Sequence, residues 1–359
     1  MRVLTLFAFC LFSSAACAQA TEPTARAIDF ATRISPVTVS PEGLSGIGKT
    51  GPAELIYAVR LETRRQNPAM PEEFGGLSSL FVRAMEGDAI LFDALTDQGH
   101  LARFSAPNPL TYATAAPKTE TSVQLITLTD ASDKPLRGAN QIDSEGLAPT
   151  DTGFLISFER NHRLVELVKT ESGYKSQPGP SLTGFDGLEP NGGMEALTRL
   201  PNGQYLASAE YGPDRPSDPA AKLQAPYWVF DQTSKAVTAP LGSFENQGRF
   251  GITDIRVLGE DLWVLKRSYD PATKINLSRL ETCSLSSVLA GKPNCAVKLA
   301  LSPPFSMDNY EGLAVMDDPK RGGKIVFILS DDNFSADQGT FLLAFRLDAP
   351  IPANTGAKP

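Results

Sequence analysis

Short apolar runs, rather than long amphipathic periods, set the texture of this chain. Residues 54–61, 122–128, 164–168, 227–230, 324–329 and 341–347 are rich in Val, Ile, Leu, Tyr and Phe and are bounded by Gly, Pro, Asn or Asp. That pattern reads as β-strands separated by turns. Pro201-Asn202-Gly203 and Lys320-Arg321-Gly322-Gly323 supply hairpin turns, because glycine and asparagine accept the backbone angles a tight turn needs. Sustained helical periodicity is scarce, and residues 284–290 predict one short helix inside an insertion. With 29 Gly and 28 Pro among 359 residues, the chain reads as all-β.

One motif recurs across these strands. Asp143-Ser144-Glu145-Gly146-Leu147-Ala148 precedes the run Ile156-Ser157-Phe158-Glu159, and Asn191-Gly192-Gly193-Met194-Glu195-Ala196-Leu197 precedes Ala207-Ser208-Ala209-Glu210. Asn309-Tyr310-Glu311-Gly312-Leu313-Ala314 likewise precedes Leu329-Ser330-Asp331-Asp332. Weaker copies run from Gly251-Ile252-Thr253-Asp254-Ile255 to Leu265-Lys266-Arg267, and from Gly76-Leu77-Ser78 to Ala94-Leu95-Thr96-Asp97. The copies are spaced roughly 50 to 70 residues apart, which suits a four-stranded propeller blade with insertions in its loops. The expectation is a single β-propeller of five or six blades, each of about four antiparallel strands, over residues 41–351. Residues 21–40 are then an N-terminal extension and 352–359 a tail.

The repeat has a chemical consequence. In a hairpin, the start of the first strand and the end of the second lie at the same end of the sheet. Glu145 and Glu159, Glu195 and Glu210, and Glu311 with Asp331 and Asp332 are therefore expected at one mouth of the central channel. Carboxylates so gathered repel one another unless a cation, basic side chains or protons neutralise them. Calcium, which takes about six to eight oxygen ligands, is the cofactor this set predicts. Arg160, Lys266 and Arg267 end second strands and are candidates to bind an anion beside the metal. His162 follows the Glu159 strand end and is a candidate general base, as are the cluster carboxylates Glu195 and Glu311. The plainer alternative is that the acids cap turns or pair with these basic residues.

Composition narrows the partners. A formal net charge of -8 disfavours nucleic acid. Arg2, an apolar run over residues 3–12 and Ala18-Gln19-Ala20 predict a signal peptide over residues 1–20, cleaved after Ala20, and a periplasmic or secreted product. The run is shorter than the ~20 residues that span a bilayer, so no integral membrane segment remains after cleavage; a lipoprotein at Cys17 is the alternative. Cys283 and Cys295 are then the remaining cysteines and predict one local disulfide.

Other catalytic signatures fail. Residues 43–50 fit the P-loop formula, yet Ser40-Pro41-Glu42 before them is turn-like and Gly51-Pro52 after them interrupts any helix start. There is no G-x-S-x-G elbow and no H-E-x-x-H helix, and two histidines leave little room for a Ser-His-Asp triad.

Taken together, the repeats and the final Ser330-Asp331-Asp332-Asn333-Phe334, followed by Gln338 and Leu342-Leu343, resemble the bacterial phytase-like family, labelled as having esterase-like activity. The resemblance covers most of residues 70–347, and Asn333 within it is a candidate substrate contact. It implies a propeller whose acidic channel uses calcium to bind substrate phosphate and activate water. The chain departs from that pattern at Lys266-Arg267, which replace a second-strand acid, and at Gly75, which stands where a first acid would precede Gly76. The function expected is metal-assisted hydrolysis of a small-molecule phosphate or carboxylic ester. The alternatives are a calcium-dependent sugar lactonase-like propeller and a non-enzymatic periplasmic binding or scaffold propeller.

Overall fold

The structure, a computed structural model, describes residues 27–39, 44–46 and 53–347 apart from 117, 172, 183–186, 214–221, 235–236, 238, 247 and 306–307. The signal peptide and the C-terminal tail expected from the sequence lie outside the described residues. Twenty-two strands among the described residues carry the fold. The first blade comprises β4 (Leu77–Glu86), β5 (Ala89–Thr96), β6 (His100–Pro107) and β7 (Glu120–Thr127), and the second β8 (Ser144–Pro149), β9 (Gly153–Phe158), β10 (Arg163–Thr170) and β11 (Gly173–Pro178). The third holds β12 (Ala196–Arg199), β13 (Tyr205–Ser208), β14 (Leu223–Phe230) and β15 (Gly242–Asn246). The fourth holds β16 (Gly251–Leu258), β17 (Asp261–Asp270), β18 (Ile275–Ser284) and β19 (Cys295–Leu301).

The fifth blade closes the ring. Its strands β20 (Asn309–Asp317), β21 (Lys324–Asp331) and β22 (Thr340–Leu347) come from the C-terminal part of the chain, and its outer strand β3 (Glu54–Leu61) from the N-terminal part. Chain ends far apart in sequence are thus hydrogen-bonded in one sheet, as Arg346 opposite Glu54 shows. The inner strands β4, β8, β12, β16 and β20 each touch the next around the ring, and β20 touches β4. The architecture is a single five-bladed β-propeller of four-stranded antiparallel blades.

Residues 27–36, within the stretch read as an extension, form β1 (Ala27–Pro36), which pairs with β7 along one half and with β3 along the other, so it bridges the first and fifth blades. β2 (Leu44–Gly46) adds to the outer edge of β19, which places a strand inside the stretch that mimics a P-loop. The expected short helix is α2 (Leu285–Leu289), and α1 (Ala139–Ile142) is a single turn ahead of β8. Cys283 and Cys295 are register partners on β18 and β19 and are joined by a disulfide. No helix among the described residues is long and apolar enough to cross a membrane.

The repeated glycine has a packing reason. A Cβ at Gly146 would fall 2.5 Å from Ser157 Oγ and 2.8 Å from Leu197 Cβ, and one at Gly312 would fall 3.0 Å from Leu329 Cβ and 3.1 Å from the Ser79 carbonyl. Inner strands meet here near the axis, where only the smallest side chains fit.

Candidate active site at the mouth of the channel

A β-bulge sets the aim of the inner-strand residues. Register shifts fall between Ser144 and Leu147, Tyr310 and Gly312, Ser78 and Leu80, and Ile252 and Asp254, so four of the five inner strands are irregular at matching positions. The extra residue bends the strand and re-aims a side chain. In the second and fifth blades the residues concerned are Glu145 and Glu311, and both line the channel mouth.

The mouth is a cavity of about 610 Å³. Glu145, Glu159, Glu195, Glu210, Glu311 and Asp331 line it together, as the repeat predicts, with Arg160, Arg267 and Asn333. Asn309 Nδ2 donates to Glu311 Oε1 at 2.7 Å and to Asp331 Oδ2 at 3.0 Å, tying the two acids of the fifth blade. Arg267 reaches Glu311 at 3.3 Å and Glu210 at 3.5 Å, and Arg160 pairs with Asp143.

Three predicted residues are placed elsewhere. Asp332 turns away from the cavity: its Oδ1 accepts the Gly76 amide at 2.9 Å and the Phe334 amide at 3.2 Å, linking the fifth blade to the first. Lys266 is buried and 2.7 Å from Glu281 Oε2, because neighbouring residues on a strand face opposite sides and Arg267 already takes the channel side. His162 lines a separate cavity on the second blade rather than the channel mouth, with Nε2 3.2 Å from the Glu189 carbonyl.

The sequence reading left out Asp97 and Asp143, which also line the mouth. Carboxylate oxygens of Asp97, Asp143 and Glu145 all lie within 4.8 Å of one another. The repeat held the signal for Asp97, since it ends β5 as Glu159 ends β9. Lys274, Asn276 and Tyr269, at the tip of the β17–β18 hairpin, complete a basic and amide wall on the fourth blade.

The electrostatics are those of acids crowded together away from water. Burial, and then the fields of neighbouring carboxylates, push the pKa values of Asp97, Glu145 and Glu195 well above the carboxylate range. Asp331 is pushed up the same way, chiefly by burial and Glu311. Burial also raises Glu311, although Arg267, Asn309 and Ser78 favour its charged form. For Arg267, burial works against the charge, but Glu311 and Glu210 outweigh it and raise the pKa.

The donor set fits a hard divalent cation. The cluster offers carboxylate oxygens, and neither histidine nor cysteine lines the cavity. Arg267 Nε, Asn276 Oδ1 and Asn309 Oδ1, all on residues that line the cavity, are buried without a hydrogen-bond partner, a state that polar atoms rarely keep without a ligand or water.

Residues 72–334 match the family described as phytase-like, with esterase-like activity of phytase. The chain belongs to the phytase-like family. Within this phytase-like chain the matched span holds the acids of the mouth from Asp97 to Asp331, and Asp337 follows just beyond it. No curated protein matches the sequence. Among solved structures, it is similar at 9% identity to a GH43 endo-arabinanase from Bacillus licheniformis, over 77% of this chain and 95% of that one, with a TM-score of 0.36. It is also similar at 9% identity to the β-propeller domain of Nup133 from Vanderwaltozyma polyspora, over 88% of this chain and 90% of that one, with a TM-score of 0.32.

Proposed function

We propose that this phytase-like propeller is an exported hydrolase that cleaves a small-molecule phosphate ester at its acidic mouth with the help of a bound calcium ion. One observation carries the reading: the Asp97, Asp143 and Glu145 oxygens and the guanidinium of Arg267 share a single cavity. A site with an oxygen cage on one side and fixed positive charge on the other suits a bound cation together with an anionic ester. The disulfide between Cys283 and Cys295 suits an oxidising compartment.

In this reading Asp97, Asp143 and Glu145 hold the cation. When bound, calcium supplies Lewis acidity at the ester and favours deprotonation of water. Arg160, Arg267 and Lys274 orient the anionic group, and Asn333 borders it. Glu195, a carboxylate whose pKa is raised by burial and by neighbouring acids, accepts the proton of the attacking water. The water oxygen joins the phosphorus, the ester P–O bond breaks, and the departing alcohol leaves with a proton returned from the cluster.

The test is turnover of 4-nitrophenyl phosphate and 4-nitrophenyl acetate by protein stripped with EDTA and resupplied with calcium. Phosphatase activity that needs calcium and falls about 100-fold or more in Glu195→Gln supports the proposal. Acetate turnover alone moves the activity to carboxylic esters. No turnover of either, with calcium bound, leaves a binding protein.

A further inference from the structure

The loop between the second and third blades carries or grips three of the acids at the mouth. The amides of Gly192 and Gly193 both donate to Glu159 Oε1, the first at 2.6 Å. The Gly193 carbonyl accepts the amides of Glu210 at 2.8 Å and Glu195 at 3.1 Å. Glu159, Glu195 and Glu210 are thus all fixed to one residue, Gly193.

Gly193 is held in turn by His162. A methyl group at Gly193 would fall 2.5 Å from His162 Nδ1, 2.8 Å from Nε2, and closer still to Cε1, so the imidazole occupies the space a side chain would need. Gly193 is not among the glycines with positive φ, so the ring, and not the backbone angle, is what demands glycine there. The histidine is fastened at both ends of this contact. Its Nε2 lies 3.2 Å from the carbonyl of Glu189 at the start of the loop, and the Arg160 amide two residues before it donates to Pro190 at 2.9 Å.

We infer that His162 is a positioning residue for the acidic mouth: its ring, seated on Gly193, sets the loop that places Glu159, Glu195 and Glu210. It touches neither substrate nor cation. The inference rests on the proposed function only for its effect on calcium, because the contact with Gly193 and the grip on Glu159 stand without a metal. Residues that orient ligands from behind change metal affinity by about 10- to 100-fold when removed.

The test is a mutant cycle of His162→Ala, Gly193→Ala and the double variant, read two ways. Hydrogen exchange of the peptide spanning residues 189–195, in EDTA, reports the grip on Glu159 without any cation; calcium titration reports the mouth. His162→Ala is expected to speed exchange of the Gly192 and Gly193 amides and to weaken calcium about tenfold. Gly193→Ala is expected to do the same by pushing the ring away. In the double variant the methyl takes the space the ring leaves, so both readouts recover toward wild type. Unchanged exchange in His162→Ala, or losses that add in the double variant, overturn the inference. Exchange that responds and recovers in a protein that never binds calcium upholds the positioning role and rejects the metal reading instead.

Discussion

Arg267 stands 3.3 Å from Glu311, and the two come from neighbouring blades. Arg267 occupies the place where the second, third and fifth blades put an acid, so one cation is built permanently into a ring of carboxylates. Arg267→Ala leaves Glu311 and Glu210 facing each other without it. The expected cost is roughly 3 to 5 kcal/mol in EDTA, as for breaking other buried pairs, measured by urea unfolding. Arg267→Lys restores charge but cannot reach both acids with a planar fork, so it recovers only part of that loss. A variant Arg267→Ala as stable as wild type contradicts this account of the pair.

The raised carboxylates fix the direction of pH dependence. A carboxylate whose folded pKa exceeds its unfolded one binds more protons when folded, so stability falls as pH rises from the unfolded value, about 4, through the raised folded value. Asp97, Glu145, Glu195 and Asp331 all act in this sense. In EDTA the protein is therefore expected to be more stable near pH 5 than near pH 8. Calcium, competing with protons for the same oxygens, should remove or invert the difference. Unfolding midpoints at the two pH values, with and without calcium, check both statements.

Away from the mouth, Arg256 and Asp254 tie the blades together. Arg256 donates to Asp254 at 2.7 Å, to the Leu80 carbonyl at 2.9 Å and to the Leu197 carbonyl at 3.0 Å, while Asp254 accepts the Leu313 amide at 2.8 Å. Four blades meet at this one pair. Burial, opposed by Arg256, raises the Asp254 pKa to about 7, which makes the arginine the partner that cannot be spared. Arg256→Ala should cost roughly 3 to 5 kcal/mol, and Asp254→Asn less, since the amide keeps an acceptor. Guanidinium unfolding of the two variants orders them; the reverse order contradicts the assignment.

The disulfide closes a short loop, with Cys283 and Cys295 12 residues apart. Replacing both with alanine should lower stability by about 3 kcal/mol, the loop-closure estimate for that length, without changing calcium affinity, because neither residue lines the mouth. Thermal unfolding and calcium titration of the double variant separate the two effects.

Much of the mouth was legible because the repeat is physical. Gly146 and Gly312 recur where inner strands crowd, and Glu145 and Glu311 recur where a bulge turns a side chain into the channel. What escaped reading depends on contacts distant in sequence or on strand facing. β1 has a half-exposed pattern and acquires its role only by pairing with β7 and β3. Lys266 and Arg267 look alike as neighbours in the chain, yet strand alternation sends one to Glu281 and the other to Glu311. His162 is two residues from Arg160 but lies against Gly193, which carries the hydrogen bonds to the acids, a contact that no spacing rule anticipates.

The central claim is that the acids hold a hard cation, and calorimetric titration of calcium into EDTA-stripped protein tests it most directly. The account predicts saturable binding that is lost in Asp143→Asn combined with Glu145→Gln. Absence of binding at millimolar calcium, or binding that survives that double change, contradicts it.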